Sequence, residues 1–422
     1  MANLITLPVS HFTFHISRLH LQKLTPLRRS ASHILPLIVV SQFAGTSLWF
    51  VGNAILPELK QHLSLSQYAV SLVTTAVMLG FVCGTLVFSF FSFADRFSPV
   101  KLFFISCILG ALCNSCVAWL ATDAASLFAL RFLTGFFLAG IYPVGMKIAA
   151  DWYEHGLGKA LGYLLGALVL GTAFPHLLKN RDFNLPWKSV LYFTSLFAIG
   201  GGLLMIFFVG DGPYRKKGGK FQINAIPTIF QSVKWRQAAF GYFGHMWELY
   251  TFWGFVPVML ALYNETNHST LNIPLLSFLI IGCGSISCIA GGYLSGKFGS
   301  AKVATTSLLV SGICCLFSPL LFSQSAITFV SFIFIWGLAV IPDSPQFSTL
   351  VAQYAPPELR GTALTIYNSI GFSIAVLSLI AIDYLFHGNS FLANHKTFSV
   401  LGIGAAFGLP FMFKLMNVNR ES

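Results

Sequence analysis

Long apolar stretches dominate this chain, and short polar segments separate them. About 20 apolar residues in a helix are needed to cross the hydrocarbon core of a bilayer. Stretches of that length recur along the whole sequence and predict twelve transmembrane helices. The predicted spans are 33–57, 68–91, 101–121, 124–148, 160–178, 189–209, 237–262, 274–295, 303–322, 327–350, 362–384 and 394–415. The pattern therefore indicates an all-α membrane protein.

Composition supports a membrane location for most of the chain. Of the 422 residues 55% are hydrophobic, 15% are aromatic and only 9% are charged, and the mean hydropathy is +0.75. A soluble domain carries roughly 25% charged residues, so this chain has too few polar groups to cover a water-exposed surface. Its 37 glycines and 43 phenylalanines suit helices that pack closely in lipid.

The basic residues are distributed unevenly between the two sides of the predicted membrane. If the amino terminus is cytoplasmic, nineteen Lys and Arg residues fall on the cytoplasmic side, five fall outside, and Arg131 lies within a span. This bias follows the positive-inside rule. It predicts a multi-pass protein of the cytoplasmic (inner) membrane with both termini in the cytoplasm. The net charge of +12 is explained in this way, and we expect no nucleic-acid partner.

Two long polar segments divide the chain into four parts. We predict a cytoplasmic tail over 1–32, a six-helix bundle over 33–209, a cytoplasmic linker over 210–236 with six basic residues, and a second six-helix bundle over 237–422. Residues 1–30 fit either an amphipathic helix on the inner leaflet or a disordered tail.

The two predicted bundles contain an internal repeat. Each matching pair of residues is separated by the same number of positions as Arg96 and Lys297. The matching pairs are Arg96 and Lys297, Phe97 and Phe298, Lys101 and Lys302, Tyr153 and Tyr354, and Lys159 and Arg360. All of them lie in predicted cytoplasmic loops, which indicates duplication of a six-helix unit. Repeats that place a binding site between two halves at mid-membrane are typical of transporters.

These loops resemble a signature of the major facilitator superfamily, between its second and third helices. Asp95, Arg96 and Lys101 match the signature, whereas Phe91 and Ser98 stand where it has glycines. The second copy keeps Gly292 and Gly299 but has Gly296 in place of the aspartate. The segment Arg131-x-x-x-Gly135-x-x-x-x-Gly140 also resembles the helix-four Arg motif of that superfamily.

A narrower resemblance concerns the seventh predicted helix. The stretch 241–250 is similar to bacterial members grouped with nitrate/nitrite and cyanate permeases. The glycine signatures of true nitrate carriers and of drug antiporters are absent from the predicted helices, so the subfamily stays open. The superfamily resemblance implies twelve helices in two pseudo-symmetric six-helix bundles around a central cavity.

The resemblance also implies a gating role for the loop residues at the cytoplasmic ends of the helices. A carboxylate there can pair with a basic residue or a helix amino terminus in one conformation and separate from it in another. The candidates are Asp95, Arg96, Lys101, Gly292, Lys297, Gly299, Lys302 and Arg360. An ordinary charge pair that sets topology is the alternative.

Three ionisable residues inside predicted helices are candidates for proton coupling: Glu248, His245 and Asp343. Such residues are costly within a bilayer and indicate function by default. Glu248 and His245 lie one turn apart on one helix face, and a histidine titrates near neutrality. Asp343 lies between Pro342 and Pro345, which should break the tenth helix. Static hydrogen bonding and a structural hinge are the alternatives.

Polar and aromatic residues on four predicted helices are candidates for substrate contact. Helix one carries four of them at spacings that put a single stripe on one helix face. The full set is Gln42, Thr46, Trp49, Asn53, Arg131, Tyr250, Trp253, Tyr367 and Asn368. Arg131 fits an anion anchor, a partner for a carboxylate, or a side chain that reaches the outer headgroups.

The sequence thus predicts a secondary transporter that moves a small solute by alternating access, with proton coupling. The alternatives are an efflux antiporter for a drug, siderophore or metabolite, and a transporter-like sensor that does not transport. No catalytic constellation, metal-ligand spacing or phosphate-binding loop is evident, and we expect no enzyme activity, cofactor or metal. The expected partners are the solute, protons and membrane lipid, and the expected state is a monomer. The eight cysteines are expected to be small buried side chains.

Overall fold

The computed structural model describes residues 31–421 except 154–156, 181, 184, 216–220 and 389–392. The predicted tail over 1–30 and the middle of the predicted linker lie outside the described residues. Within the described part the chain is helical and has no strand. The helical segments form twelve crossings, here called passes one to twelve, and the fold is the predicted pair of six-helix bundles.

Passes one to six make up the first half. Some of them consist of more than one helical segment because the helix is interrupted inside the pass. The segments are Ala31–Thr46, Val51–Ala54 and Leu56–His62 in pass one, Ala69–Phe90 in pass two, Pro99–Leu120 in pass three, Ala124–Leu138 and Tyr142–Trp152 in pass four, Leu157–Leu178 in pass five, and Trp187–Leu204 with a π turn at Met205–Val209 in pass six.

Passes seven to twelve make up the second half. The segments are Val233–Asn267 in pass seven, Ile273–Gly282 and Gly284–Phe298 in pass eight, Ser300–Leu321 in pass nine, Ala326–Ala339 and Ser344–Tyr354 in pass ten, Arg360–Phe386 in pass eleven, and the 3-10 turn Asn394–Leu401 with Gly402–Glu421 in pass twelve. Twelve passes put residues 31 and 421 on the same side of the bundle. We call this side the terminal face and the other side the opposite face.

The internal repeat is visible in the helix boundaries. Pass three and pass nine are both 22 residues long, and they begin and end at positions separated by the offset of the repeat. Pass four is interrupted after Leu138 and pass ten after Ala339, which are separated by the same offset. Each second segment begins with a proline in its first turn, where a missing N–H is harmless. The prolines around Asp343 therefore break pass ten as predicted.

Ten of the twelve passes are apolar and long enough to span a bilayer by length and composition alone. Passes one and seven fall outside that set. Pass one is interrupted, and its apolar part, His33–Thr46, is short. Pass seven is 35 residues long but carries buried polar groups, among them His245 and Glu248. Pass one therefore falls outside the set because its apolar helix is short, and pass seven because of its polar residues.

Pass one differs from its prediction as a single helix over 33–57. The helix ends at Thr46, and irregular backbone follows until Val51. Residues 47–50 are fully covered by other side chains, and this fits the rule that irregular backbone at membrane depth lies against protein. The chain then continues in two short helices to His62.

The helices pack in the same order in both halves. Passes one, two and three contact passes five, four and six in the first half, and passes seven, eight and nine contact passes eleven, ten and twelve in the second. The halves meet where pass two packs on pass eleven and pass five packs on pass eight. Passes one and seven therefore face each other across the middle of the molecule.

The cysteines differ from their prediction as a uniformly buried set. All eight are free thiols, five are buried, Cys113 and Cys116 are partly covered, and Cys83 is on the exposed surface of pass two. Small apolar side chains can face lipid tails at no hydrophobic cost, so burial of such residues in a membrane helix is not required.

Candidate functional site

Aromatic side chains from both halves fill the centre of the molecule. Trp49 of pass one stacks against Tyr250 of pass seven, with ring centroids 5.7 Å apart. Phe372 of pass eleven lies 5.0 Å from Tyr250 and 5.9 Å from Trp49. Trp253 packs edge-on against Phe50. The two indole N–H groups, of Trp49 and Trp253, have no acceptor among the described residues. Three of the predicted contact residues are thus brought together.

Glu248 lies on pass seven among passes nine and ten. Its side chain is buried to 1% exposure. Oε1 accepts a hydrogen bond from Nε1 of Trp336 at 2.6 Å, and Oε2 accepts one from Oγ of Ser311 at 3.0 Å. None of the ion pairs found among the described residues includes Glu248. The carboxyl group is therefore held by neutral donors alone.

His245 and Asp343 form a second buried polar pair. Nδ1 of His245 lies 3.0 Å from Oδ1 of Asp343, and the two side chains are 1% and 0% exposed. Asp343 stands at the break in pass ten, directly before the helix that begins at Ser344. His245 and Glu248 share pass seven, as the sequence suggested, but the two side chains bind different partners.

A small cavity lies between the halves beside this pair. Six of its lining residues carry polar groups: Tyr142, Tyr242, Tyr250, Ser344, Ser348 and Asn368. The Tyr242 hydroxyl donates a hydrogen bond to Oδ1 of Asn368 at 3.2 Å. The ring of Tyr242 also stacks on Tyr367, with centroids 3.8 Å apart. The predicted contacts Tyr367 and Asn368 therefore lie next to the cavity.

The predicted polar stripe on pass one does not form a single face. Because the helix ends at Thr46, the four residues point to different neighbours. Gln42 packs against Gly145 of pass four, and the Thr46 hydroxyl donates to the Gln42 carbonyl within pass one. Asn53 donates to the hydroxyl of Thr74 on pass two at 2.7 Å. Only Trp49 reaches the central aromatic cluster.

Arg131 of pass four is buried to 1% exposure and binds the broken part of pass one. Nη2 donates to the carbonyls of Leu48 and Trp49, at 3.1 and 2.6 Å, and Nη1 donates to Oδ1 of Asn114 at 2.9 Å. These carbonyls belong to the irregular segment after Thr46. Both terminal nitrogens thus donate hydrogen bonds to neutral oxygens, and not to the carboxylate or headgroups that the sequence suggested.

A charged cluster lies at the terminal face of the first half. Nζ of Lys147 on pass four lies 3.0 Å from Asp95 and 3.9 Å from Asp151. Arg215 donates to the carbonyls of Asp95 and Phe97 and pairs with Asp211 at 3.1 Å. The start of the predicted linker therefore docks on the signature loop. Sequence reasoning missed Lys147 and Arg215 as members of this cluster.

The other gating candidates lie apart from this cluster. Arg96, Lys101 and Arg360 are exposed. Lys297 and Lys302 are also exposed, and both ammonium groups lie over the ring of Phe298, at 5.3 and 5.5 Å. Gly299 has a φ of +85°, which favours glycine, whereas Gly292 faces open space. The two copies of the signature thus make different contacts.

Hydrogen bonds join the halves at both faces. At the terminal face, the hydroxyls of Ser89 on pass two and Thr365 on pass eleven lie 3.0 Å apart. At the opposite face, the backbone N–H of Ser71 on pass two donates to Oδ2 of Asp383 on pass eleven at 2.9 Å. The sequence carries no signal for this contact, because the bond crosses 312 residues.

Comparison with known proteins identifies relatives along most of the chain. The family profile described as Major Facilitator Superfamily matches residues 37–379. The probable galactarate/D-glucarate transporter GudP of Escherichia coli (strain K12) is 32% identical over 140 residues, which are 32% of this chain and 31% of that protein. The multi-drug resistance efflux pump PmrA homolog of Lactococcus lactis subsp. lactis (strain IL1403) is 27% identical over 240 residues, 55% of this chain and 58% of that protein. The matched region thus covers 31% of the length of the sugar-acid transporter and 58% of the length of the efflux pump.

Solved structures with the same fold are found at low sequence identity. The human organic anion transporter MFSD10 (TETRAN) superposes with a TM-score of 0.70 at 15% identity, over 91% of this chain and 99% of that one. A bacterial homologue of the human lysosomal transporter Spinster, in an inward-facing and occupied conformation, gives a TM-score of 0.67 at 15% identity, over 92% and 97%. At such identities the likeness concerns the fold.

Proposed function

Because the chain belongs to the major facilitator superfamily, a family of transporters rather than enzymes, we propose that it is a proton-coupled secondary transporter. It would move a small solute across the cytoplasmic membrane by alternating access. The central aromatic cluster and the adjoining cavity would hold the solute, with Trp49, Tyr250, Trp253, Tyr367 and Asn368 as contacts. Separation of the halves at one face at a time would open the cavity to either side.

The observation that carries proton coupling is the environment of Glu248. A buried carboxylate without a cationic partner is unfavourable, so the group would hold a proton in this arrangement. Movement of pass ten, which carries Trp336, would remove a donor and admit water. The carboxyl group would then release its proton. The pair of His245 and Asp343 is a second candidate for the same task.

The test replaces Glu248 with glutamine, which keeps the shape of the side chain but cannot release a proton. The protein is reconstituted in liposomes, and the probe is whichever solute most raises its melting temperature in a panel of sugar acids, amino acids and organic cations. We expect Glu248→Gln to lose accumulation driven by a proton gradient and to retain exchange of labelled for unlabelled solute.

The control is Glu265→Gln, a change of the same kind at an exposed position near the end of pass seven. It should accumulate the solute like the wild type. Accumulation by Glu248→Gln at the wild-type level would contradict the proposal.

Efflux antiport is the second candidate function. The multi-drug efflux pump relative matches a larger share of this chain than the sugar-acid transporter does, 55% against 32%. The same liposomes distinguish the two directions of coupling. Antiport gives uptake when the lumen is acidic, whereas symport gives uptake when the outside is acidic.

The proposed roles at the terminal face follow from its charges. Asp95 and Lys147 would hold the end of pass two against pass four, and Arg215 would fix the loop between passes two and three. These contacts all lie within the first half, so they would keep its terminal end together when the halves separate. Arg96, Lys101, Lys297, Lys302 and Arg360 would instead lie at the headgroups and support the orientation of the protein.

We propose that the terminal face is cytoplasmic, in agreement with the distribution of basic residues. A membrane-impermeant thiol reagent tests this orientation with Glu358→Cys at the terminal face and Glu265→Cys at the opposite face, both exposed positions. We expect Glu265→Cys to react in intact cells and Glu358→Cys to react only in inside-out vesicles. The reverse pattern would overturn the orientation.

A further inference from the structure

The charge around the central cavity indicates which class of solute it accepts. Ile341 and Ser344, on either side of the break in pass ten, both line the cavity. Asp343 stands between them and is fully buried. Its Oδ1 lies 3.0 Å from Nδ1 of His245, and none of the ion pairs found among the described residues joins it to a lysine or an arginine.

Basic side chains are absent from the cavity walls as far as the structure describes them. Both terminal nitrogens of Arg131 are bonded to Asn114 and to the carbonyls of pass one. Lys147 is paired with Asp95 at the terminal face. An anion in the cavity would therefore lie beside a buried carboxylate, and the basic side chain nearest to that carboxylate among the ion pairs of the described residues is His245.

Aliphatic and aromatic side chains form the rest of the wall, and the aromatic part attracts cations. Tyr250 and Phe372 both line the cavity, their ring centroids are 5.0 Å apart, and Trp49 stacks on both. The face of an aromatic ring carries partial negative charge and binds an ammonium or guanidinium group within about 6 Å of its centroid. The carbonyl oxygen of the Asn368 side chain and the hydroxyls of Ser344 and Ser348 add acceptors.

We propose that this cavity binds a small organic cation of the ammonium or guanidinium type. The charged group would lie near Asp343, and the apolar body would lie against Tyr250 and Phe372. The proposal rests on the proposed transport function, because it assigns the substrate class of the same site. It excludes the sugar acid named for one relative as the main substrate of this chain.

The experiment compares small ligands of different charge, three of them phenyl compounds of similar size, on the purified full-length protein in detergent, without any gradient. The cations are 2-phenylethylamine and benzyltrimethylammonium, the neutral analogue is 2-phenylethanol, and the anions are phenylacetate and galactarate. Ligand-dependent shifts of the melting temperature give each dissociation constant. We expect both cations to bind at least about tenfold more tightly than the neutral and anionic compounds, which corresponds to about 1.4 kcal/mol.

Variants locate the binding site. Asp343→Asn should weaken cation binding at least about tenfold, since it removes the charge that the ammonium group meets. Asp343→Glu keeps the charge and should retain most of the affinity, and Tyr250→Leu should weaken binding by removing one ring. Glu358→Gln removes an exposed carboxylate far from the cavity and should bind like the wild type.

Tighter binding of an anion, no binding of either cation, or equal binding of cations by the wild type and Asp343→Asn would each overturn the proposal. The charge series on the wild type stands by itself if Asp343→Asn does not fold. Failure of the substrate class is distinguishable from failure of the proposed function. Gradient-driven accumulation of an anion would refute the cationic substrate class and leave the transport function standing. Cation binding without any gradient-driven accumulation would refute the transport function and leave the substrate class standing.

Discussion

At the scale of single residues, Arg131 shows how a charge can be structural inside a membrane protein. Pass one ends its first helix at Thr46 and leaves carbonyl groups without helical partners. The guanidinium group has several donors in a fixed plane, so it can bind the carbonyls of Leu48 and Trp49 and still reach Asn114. The contact holds Trp49 in the central aromatic cluster, although Arg131 does not line the cavity.

We therefore predict that Arg131→Met destabilises the protein by about 2 kcal/mol or more, since buried acceptors lose their donors. Arg131→Lys should give a smaller loss, because one ammonium group can serve only part of the set. Denaturant unfolding in detergent, followed by tryptophan fluorescence, measures the effect.

Arg96→Met is the matched control, since Arg96 is exposed. It should unfold like the wild type. An unchanged transition for Arg131→Met would show that the contacts to pass one contribute nothing to stability.

The two acidic candidates in the second half differ in what surrounds them. Glu248 is bonded to the neutral donors of Trp336 and Ser311, whereas Asp343 faces His245 beside the cavity. Such an arrangement would allow a proton and a cationic solute to occupy separate groups on passes seven and ten. The element that carries Asp343 also carries Trp336, so a shift of pass ten would affect both sites.

At the scale of helices, two features occur in both halves. One is a pass broken into two segments, and the other is close backbone contact between two passes. Passes four and ten both have a second segment that starts with a proline in its first turn. Passes two and four approach so closely that a Cβ on Gly80 or Gly135 would meet a backbone carbonyl at 1.9 Å. Passes seven and twelve approach similarly at Gly244 and Gly404, where a Cβ would lie 2.2 Å from the facing carbonyl.

These glycines make each half a tightly packed unit. Without a strong hydrophobic force between helices in lipid, close backbone contact supplies much of the attraction. The contacts between halves, on passes two with eleven and five with eight, include hydrogen bonds between small side chains such as Ser89 and Thr365. We therefore expect each half to move as a unit during transport.

At the scale of the whole molecule, alternating access requires the halves to separate at the terminal face. We predict that a disulfide between Ser89→Cys and Thr365→Cys blocks transport, because it ties pass two to pass eleven. The two hydroxyls are 3.0 Å apart, so two thiols at these positions can reach bonding distance with a small adjustment. Solute uptake by liposomes, before and after reduction with dithiothreitol, measures the effect.

Each single cysteine variant is the control and should transport with or without the reductant. Restored uptake after reduction would support movement at this face. Full uptake by a protein shown to be cross-linked would contradict alternating access by separation of passes two and eleven.

The sequence by itself determined the architecture of this protein. Lipid favours an apolar stretch about 20 residues long in each pass, ten of the twelve passes have one, and that property is local. Twelve passes, two halves and the internal repeat could therefore be read from hydropathy and spacing. The breaks in pass ten could be read from Pro342 and Pro345 for the same reason, because proline acts on its own helix.

Only the tertiary structure decided which polar groups meet. The break after Thr46 has no proline or glycine pair to indicate it, and it separates Trp49 and Asn53 from the helix that carries Gln42 and Thr46. Arg131, Glu248 and Asp383 each bind at least one partner that is 63 to 312 residues away in the chain, and helical periodicity carries no information at such separations. Hydropathy is a property of each segment and can be read from the sequence. The charge of a cavity depends on which side chains from distant segments pair with each other, and only the tertiary structure shows that.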